Sequence, residues 1–191
     1  MKTKYYILII SLFILACGSD AEKTKRTITS AIKNTNKKSA ENEKKGIKKI
    51  LNKKDRLTKE QLQELFPEMI GPHKKYSVYV APGESVASGT YGDLKKPFNY
   101  SISDGAGSSA IVENFNLTYL SDLKGPEGTE YIKKERGNFK TLAFNQPSLQ
   151  LSNITFIYND RFRITLEGPE SPDKLWEYID LENLKKLDKY Q

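Results

Sequence analysis

The sequence predicts an α+β domain in which an antiparallel sheet packs against N- and C-terminal helices. Three observations carry this. Ile154, Phe156 and Tyr158 alternate with Thr155 and Ile157, and after Asn159-Asp160, Phe162, Ile164 and Leu166 alternate with Arg163 and Thr165. That period of two marks a hairpin with one apolar face. Thr58, with Gln61 three residues on, forms a capping-box pattern ahead of Leu62, Leu65 and Phe66. Ser171 before Pro172 opens a closing helix that turns Leu175, Ile179 and Leu184 to the sheet. Residues 58–191 are long enough for a single core.

Ahead of that domain, Lys2 and Lys4 make a short positive head, and Tyr5 to Leu15 is an apolar run broken by Ser11. Ala16 is the small residue before Cys17. The arrangement reads as a secretory signal over residues 1–16. Its 11 apolar-run residues fall short of the roughly 20 needed to cross a bilayer. Ile14-Leu15-Ala16-Cys17 resembles the lipobox of bacterial lipoproteins. The resemblance implies that Cys17 is acylated and becomes the first residue of the mature chain. The bland alternative is an incidental Cys in an ordinary signal peptide, but Gly18, Ser19 and Asp20 offer no second small-residue cleavage site. Cys17 is the only cysteine, so the exported domain contains no disulfide.

Charge separates the next segment from the domain. Residues 18–57 hold 13 Lys/Arg against 5 Asp/Glu, whereas residues 58–191 hold 16 against 19. The basic balance therefore belongs to the leading segment, and the domain is mildly acidic, which argues against nucleic acid as a partner. Residues 17–57 read as the lipidated Cys and a basic, largely disordered tether, because 18–42 has too little apolar surface to offset its ordering entropy. Its lysines suit anionic lipid headgroups or serve as a solubilising spacer. A short helix over 43–52 would place Ile47, Ile50 and Leu51 on one face.

Within the domain, Pro67 stops the capped helix and Gly71-Pro72 makes a turn. Strands follow at Tyr76–Val80, with Tyr76, Val78 and Val80 on one face, at Ser85–Tyr91, and through Phe98, Tyr100 and Ile102. Asp104-Gly105-Ala106-Gly107-Ser108-Ser109 reads as a flexible polar break. Residues 110–120 fit a helix or an irregular strand, the helix preferred. Gly125–Gly128 is a turn before strands at Thr129–Lys134 and Phe139–Phe144. Asn159-Asp160 suits a two-residue type I′ loop, and Gly168-Pro169 closes the hairpin.

The chemistry-bearing residues are few. Gly105-Ala106-Gly107-Ser108-Ser109-Ala110 satisfies a G-x-G-x-x-A pattern, but no βαβ context surrounds it, so it reads as a strand-to-helix turn with at most a weak anion site. His73 is the sole histidine and sits among loop residues, without the ligand spacing zinc requires. Asp104 with Glu113 or Asp122 is a conceivable carboxylate pair, though chance supplies such pairs among so many acids. Tyr76, Tyr79, Tyr91, Tyr100, Tyr119 and Tyr131 divide between core and a surface for a sugar, lipid or protein. No catalytic residue, metal ligand or cofactor is expected.

Leu57-Thr58-x-x-Gln61-Leu62-x-x-Leu65-Phe66-Pro67, Ser101-Ile102-Ser103-Asp104-Gly105, and Asn159-Asp160-Arg161-Phe162 through Leu166-Glu167-Gly168 resemble a group of small, uncharacterised Bacteroidota lipoproteins. The resemblance implies an envelope protein anchored to the outer membrane through acyl chains on Cys17, periplasmic or surface-exposed, with no assigned activity. Asp20 and Glu22 resemble surface-export signals of such lipoproteins. The expected domain is a non-catalytic binding or scaffolding module for a protein or envelope ligand. The alternatives are an envelope hydrolase using carboxylates and a carrier of lipids or other hydrophobic ligands.

Overall fold

Eight strands form one antiparallel sheet in the computed structural model, which describes residues 45–82 and 85–191. They are β1 (Met69–Ile70), β2 (His73–Val80), β3 (Val86–Tyr91), β4 (Phe98–Asp104), β5 (Glu130–Arg136), β6 (Phe139–Gln146), β7 (Leu151–Tyr158) and β8 (Phe162–Gly168). Their order across the sheet is β1-β2-β3-β4-β8-β7-β6-β5. The helices are α1 (45–51), α2 (Lys59–Gln63), α3 (Ala110–Leu120), α4 (Pro172–Glu177) and α5 (Leu181–Leu184), with a 3-10 segment at Lys185–Tyr190. The α+β class expected from the sequence is the one observed, and 110–120 is helical. Cys17, the signal at 1–16 and the tether over 18–42 lie outside the described residues.

Alternation decides which face is buried. Tyr100, Ile102, Phe162, Ile164, Leu166, Ile154 and Phe156 share the inner face and are all buried. Helices α2, α4 and α5 cover that face with Leu62, Leu175 and Leu184. Thr58 caps α2 as its pattern predicts: its Oγ1 accepts the Gln61 N–H and Gln61 Oε1 accepts the Thr58 N–H. Phe66 then lies over Gly89, where a Cβ would come within 2.7 Å of its ring. Only glycine lets the turn after α2 approach β3 that closely. At the other end the Trp176 ring meets Phe156 edge-on at 5.4 Å, so α4 buries aromatic area against β7.

Several expectations need correction. The compact unit begins at Gly46, so part of the stretch 17–57 assigned to the tether belongs to the domain. Leu51 and Leu57 are buried in it, and the Gly107 N–H binds the Leu51 carbonyl at 2.8 Å. Ile50 does not share Leu51's face and is 57% exposed. Tyr76 is the extra residue of a bulge between Lys75 and Ser77, which throws it out of phase with Val80 and leaves it in solvent. The hairpin loop has three residues, because Tyr158 pairs with Phe162. Asn159 and Asp160 adopt φ of 52° and 50° as expected for such residues, and Arg161 takes the third place. The closing helix is broken into α4, α5 and the 3-10 segment, whose Leu187 is also buried.

Phe156→Ala and Phe162→Ala are expected to destabilise the domain by about 3–5 kcal/mol each in urea unfolding. Thr155→Ala, on the opposite face, should cost under about 1 kcal/mol, the scale of one half-exposed hydrogen bond. Burial pushes the Tyr91 and Tyr100 phenols well above their ordinary range. The unfolded phenols ionise near pH 10, so stability present below that pH is lost as pH rises above it. An absorbance titration at 295 nm should show these two tyrosines ionising only with unfolding.

Candidate functional site

Three places hold the residues singled out in the sequence. The first is the turn between β4 and α3. Arg161 Nε donates to Asp104 Oδ1 at 2.7 Å and its Nη2 donates to Oδ2 at 2.8 Å. The Asp104 side chain is fully buried and that of Arg161 nearly so. Asp104 also accepts the N–H of Ala106 and of Leu57, and Arg161 donates to the carbonyls of Asp55 and Tyr190. The Gly105 N–H binds the Arg161 carbonyl at 2.9 Å, and a Cβ on Gly105 would lie 2.8 Å from that oxygen.

This turn is therefore a packed joint, and the flexible polar break expected there is not what forms. The N–H groups of Gly105, Ala106, Gly107 and Ser108 are all bonded within the protein, so the weak anion site is closed. The carboxylate pair fails too. Asp104 is sealed by its partners, whereas a general acid or base has to reach its substrate. Glu113 accepts the Ser109 hydroxyl and lies 4.0 Å from Lys48, and Asp122 is exposed.

The second place surrounds His73, which opens β2 and is not the exposed loop residue expected. Its ring stacks on Phe98 at 4.0 Å and meets the edge of Tyr178 at 5.5 Å. Its Nε2 is buried without a protein partner. Beside it lies an open cleft of about 420 Å³, lined by the rings of His73, Phe98 and Pro169 and by Asp93, Lys95, Lys96 and Glu170. The charges there balance, and among the described residues no three side chains cluster to hold a metal.

The third place is the outer face of the sheet. Helix α3 packs on it over β7 and β8, with the Tyr119 ring beside Lys133 and Lys140. Two rows of side chains cross seven strands of this face in register, the first ending at the Lys133 that lies beside Tyr119. One runs Tyr79, Ser88, Ser101, Thr165, Thr155, Leu142, Lys133; the other runs Ser77, Thr90, Asn99, Glu167, Asn153, Phe144, Tyr131. Seven strands span about 29 Å at their usual spacing. Ser88 and Ser101 hydroxyls bond at 3.1 Å, Thr155 and Thr165 at 3.0 Å. The Tyr131 and Phe144 rings lie 4.5 Å apart at one end, and Tyr79 stands exposed at the other. Arg163, flanking the rows, donates to Ser103 at 3.4 Å and leaves its Nε unpartnered.

The tyrosines thus divide: Tyr91 and Tyr100 are core, Tyr119 and Tyr131 half-buried, Tyr76 and Tyr79 exposed. Alternation within each strand was visible in the sequence. The two rows were not, because they depend on which strands are neighbours.

Asp104→Ala and Arg161→Ala should each cost about 3–5 kcal/mol, since either leaves a buried charge unpaired. The double variant should cost clearly less than the sum of the two. Urea unfolding of the three variants measures this coupling.

No known protein family, curated protein or solved structure matches the chain, so its functional reading rests on the geometry of these three places.

Proposed function

We propose that the chain is a lipoprotein of the bacterial envelope, held to the membrane by acyl chains on Cys17, whose domain binds a ligand laid across the outer face of the sheet. The observation that carries this reading is the pair of cross-strand rows. One face of the sheet is given to the core, and the other presents hydroxyl, amide and carboxylate groups in register over six strand spacings.

The chemistry of the rows selects the ligand class. Glu167, Asn99 and Asn153 supply donors and acceptors, and Tyr131 with Phe144 supplies a half-exposed pair of rings tilted by 33° to one another. An extended, neutral, hydroxyl-rich chain fits such a surface: its hydroxyls exchange with the row and its sugar rings stack on the aromatics. A nucleic acid would ask for many cations, and Lys133 is the cation within the rows. A carrier would ask for an apolar cavity, but Tyr91, Phe156 and Phe162 fill the interior between sheet and helices. The exposed Lys48, Lys49 and Lys53 of the leading segment suit anionic headgroups.

Two measurements test the reading. Cys17→Ser should abolish partitioning into a detergent phase; a variant still held by the membrane would overturn the anchor. Asn99→Ala with Asn153→Ala and Glu167→Ala should lower the melting temperature by only a few degrees, because each removes a half-buried side chain worth about 0.5 kcal/mol or less. The same triple variant should lose retention on immobilised envelope polysaccharide, and unchanged retention would place binding elsewhere.

A further inference from the structure

The two edges of the sheet are built differently. The β5 edge is blunted by charge: Glu130, Lys133, Lys134, Glu135 and Arg136 are five of its seven residues, the usual device against strand addition. The β2 edge is covered at His73 and Lys74 by β1 and at Lys75 by the Glu68 carbonyl, which accepts the Lys75 N–H at 2.8 Å. From the bulge residue Tyr76 onward it reads Tyr76-Ser77-Val78-Tyr79-Val80, without a charge. Tyr76 and Tyr79 are each 65% exposed there, with Met69 exposed on the adjoining β1.

The Ala81 N–H binds the Val86 carbonyl across to β3. By the alternation of an antiparallel ladder, Tyr79 and Ser77 also turn their backbone groups to β3, and Val78 turns its N–H and C=O outward. The open edge thus carries an unused donor and acceptor flanked by apolar side chains.

We propose that this edge pairs with the same edge of a second copy, antiparallel and two-fold about Val78. The segment is self-complementary. Val78 meets itself and exchanges both backbone hydrogen bonds, Tyr76 lies beside the second copy's Val80, and Ser77 lies opposite the second copy's Tyr79. The flanking contacts are aromatic with β-branched or polar with aromatic, and no like charges oppose. The same operation on β5 would set Lys133 against itself. Pairing also aligns the outer faces, because directly opposed residues share a face. The row ending at Tyr79 runs on into the second copy's row beginning at Ser77, and one platform crosses both molecules.

The test uses the mature chain with Cys17→Ser, which removes the acyl chains and the only cysteine. Sedimentation equilibrium should show a reversible dimer by about 100 μM, a modest affinity in keeping with a small interface. Ser77 and Tyr79 are both exposed, so changing them leaves the core intact. Ser77→Lys with Tyr79→Lys opposes like charges twice and should weaken the dimer by about tenfold or more. Ser77→Lys with Tyr79→Glu opposes unlike charges and should restore it. In the cysteine-free background, Val78→Cys should form a covalent dimer on mild oxidation, since Cα atoms of a hydrogen-bonded antiparallel pair lie about 5.5 Å apart, within disulfide range. Lys134→Cys on the other edge should not. A chain monomeric throughout, or a dimer indifferent to both charge pairs, overturns the proposal, as would equal cross-linking at both edges.

Discussion

The fold turns on the buried pair of Asp104 and Arg161. Neither charge belongs in a low-dielectric interior alone, and each is held there by what the other satisfies. Four separate pieces of chain meet at the pair: Asp55 and Leu57 before α2, the end of β4 with Ala106 just after it, the loop between β7 and β8, and Tyr190 near the C-terminus. A hydrophobic contact in this place would be non-directional. The bidentate guanidinium instead fixes the angle at which β4 and the hairpin loop face one another, and with it the register of the central strands β4 and β8.

That joint also explains the division of the sheet into two faces. Helices α2, α4 and α5 come from the two ends of the domain and both ends close on the inner face. The joint ties the ends together on that side. The connection from β4 to α3 leaves the joint in the other direction, and α3 crosses the outer face over β7 and β8. What remains of that face is mixed, with hydroxyl and amide groups at its centre and aromatic rings toward its ends, because nothing in the fold requires it to be uniformly apolar.

Much of the fold was legible in the sequence because its signals are local. The capping box at Thr58, the period of two at 154–166 and the Ser171-Pro172 helix start each depend on residues a few positions apart. What could not be read depends on distant chain. Arg161 looked like one more polar residue after a two-residue turn, and Asp104 looked like the start of a loose loop. Their partnership spans 57 positions and has no periodicity to announce it. The segments quoted for their resemblance to a lipoprotein group hold both residues, and the structure brings those segments together. Leu51 and Leu57 were hidden for another reason: the lysines around them give the segment the composition of a tether, although two leucines are enough to seat it. His73 was misread from its neighbours Pro72 and Lys74, whereas its environment is set by Phe98 and Tyr178.

The attachment of α1 has a mechanical side. Any tension arriving from upstream of Gly46 enters the domain through α1 and reaches the Leu51–Gly107 hydrogen bond before it reaches the sheet. Next in the load path are the Asp55 carbonyl on Arg161 and the Arg56 side chain on the Ala106 carbonyl, and then the Leu57 N–H on Asp104. Single bonds pulled in sequence give way one at a time, unlike the ladders between β4, β8 and β7, whose bonds share a load. The leading helix, with Leu51 buried and Lys48 paired to Glu113, is thus the first attachment to take such a load, ahead of the eight strands.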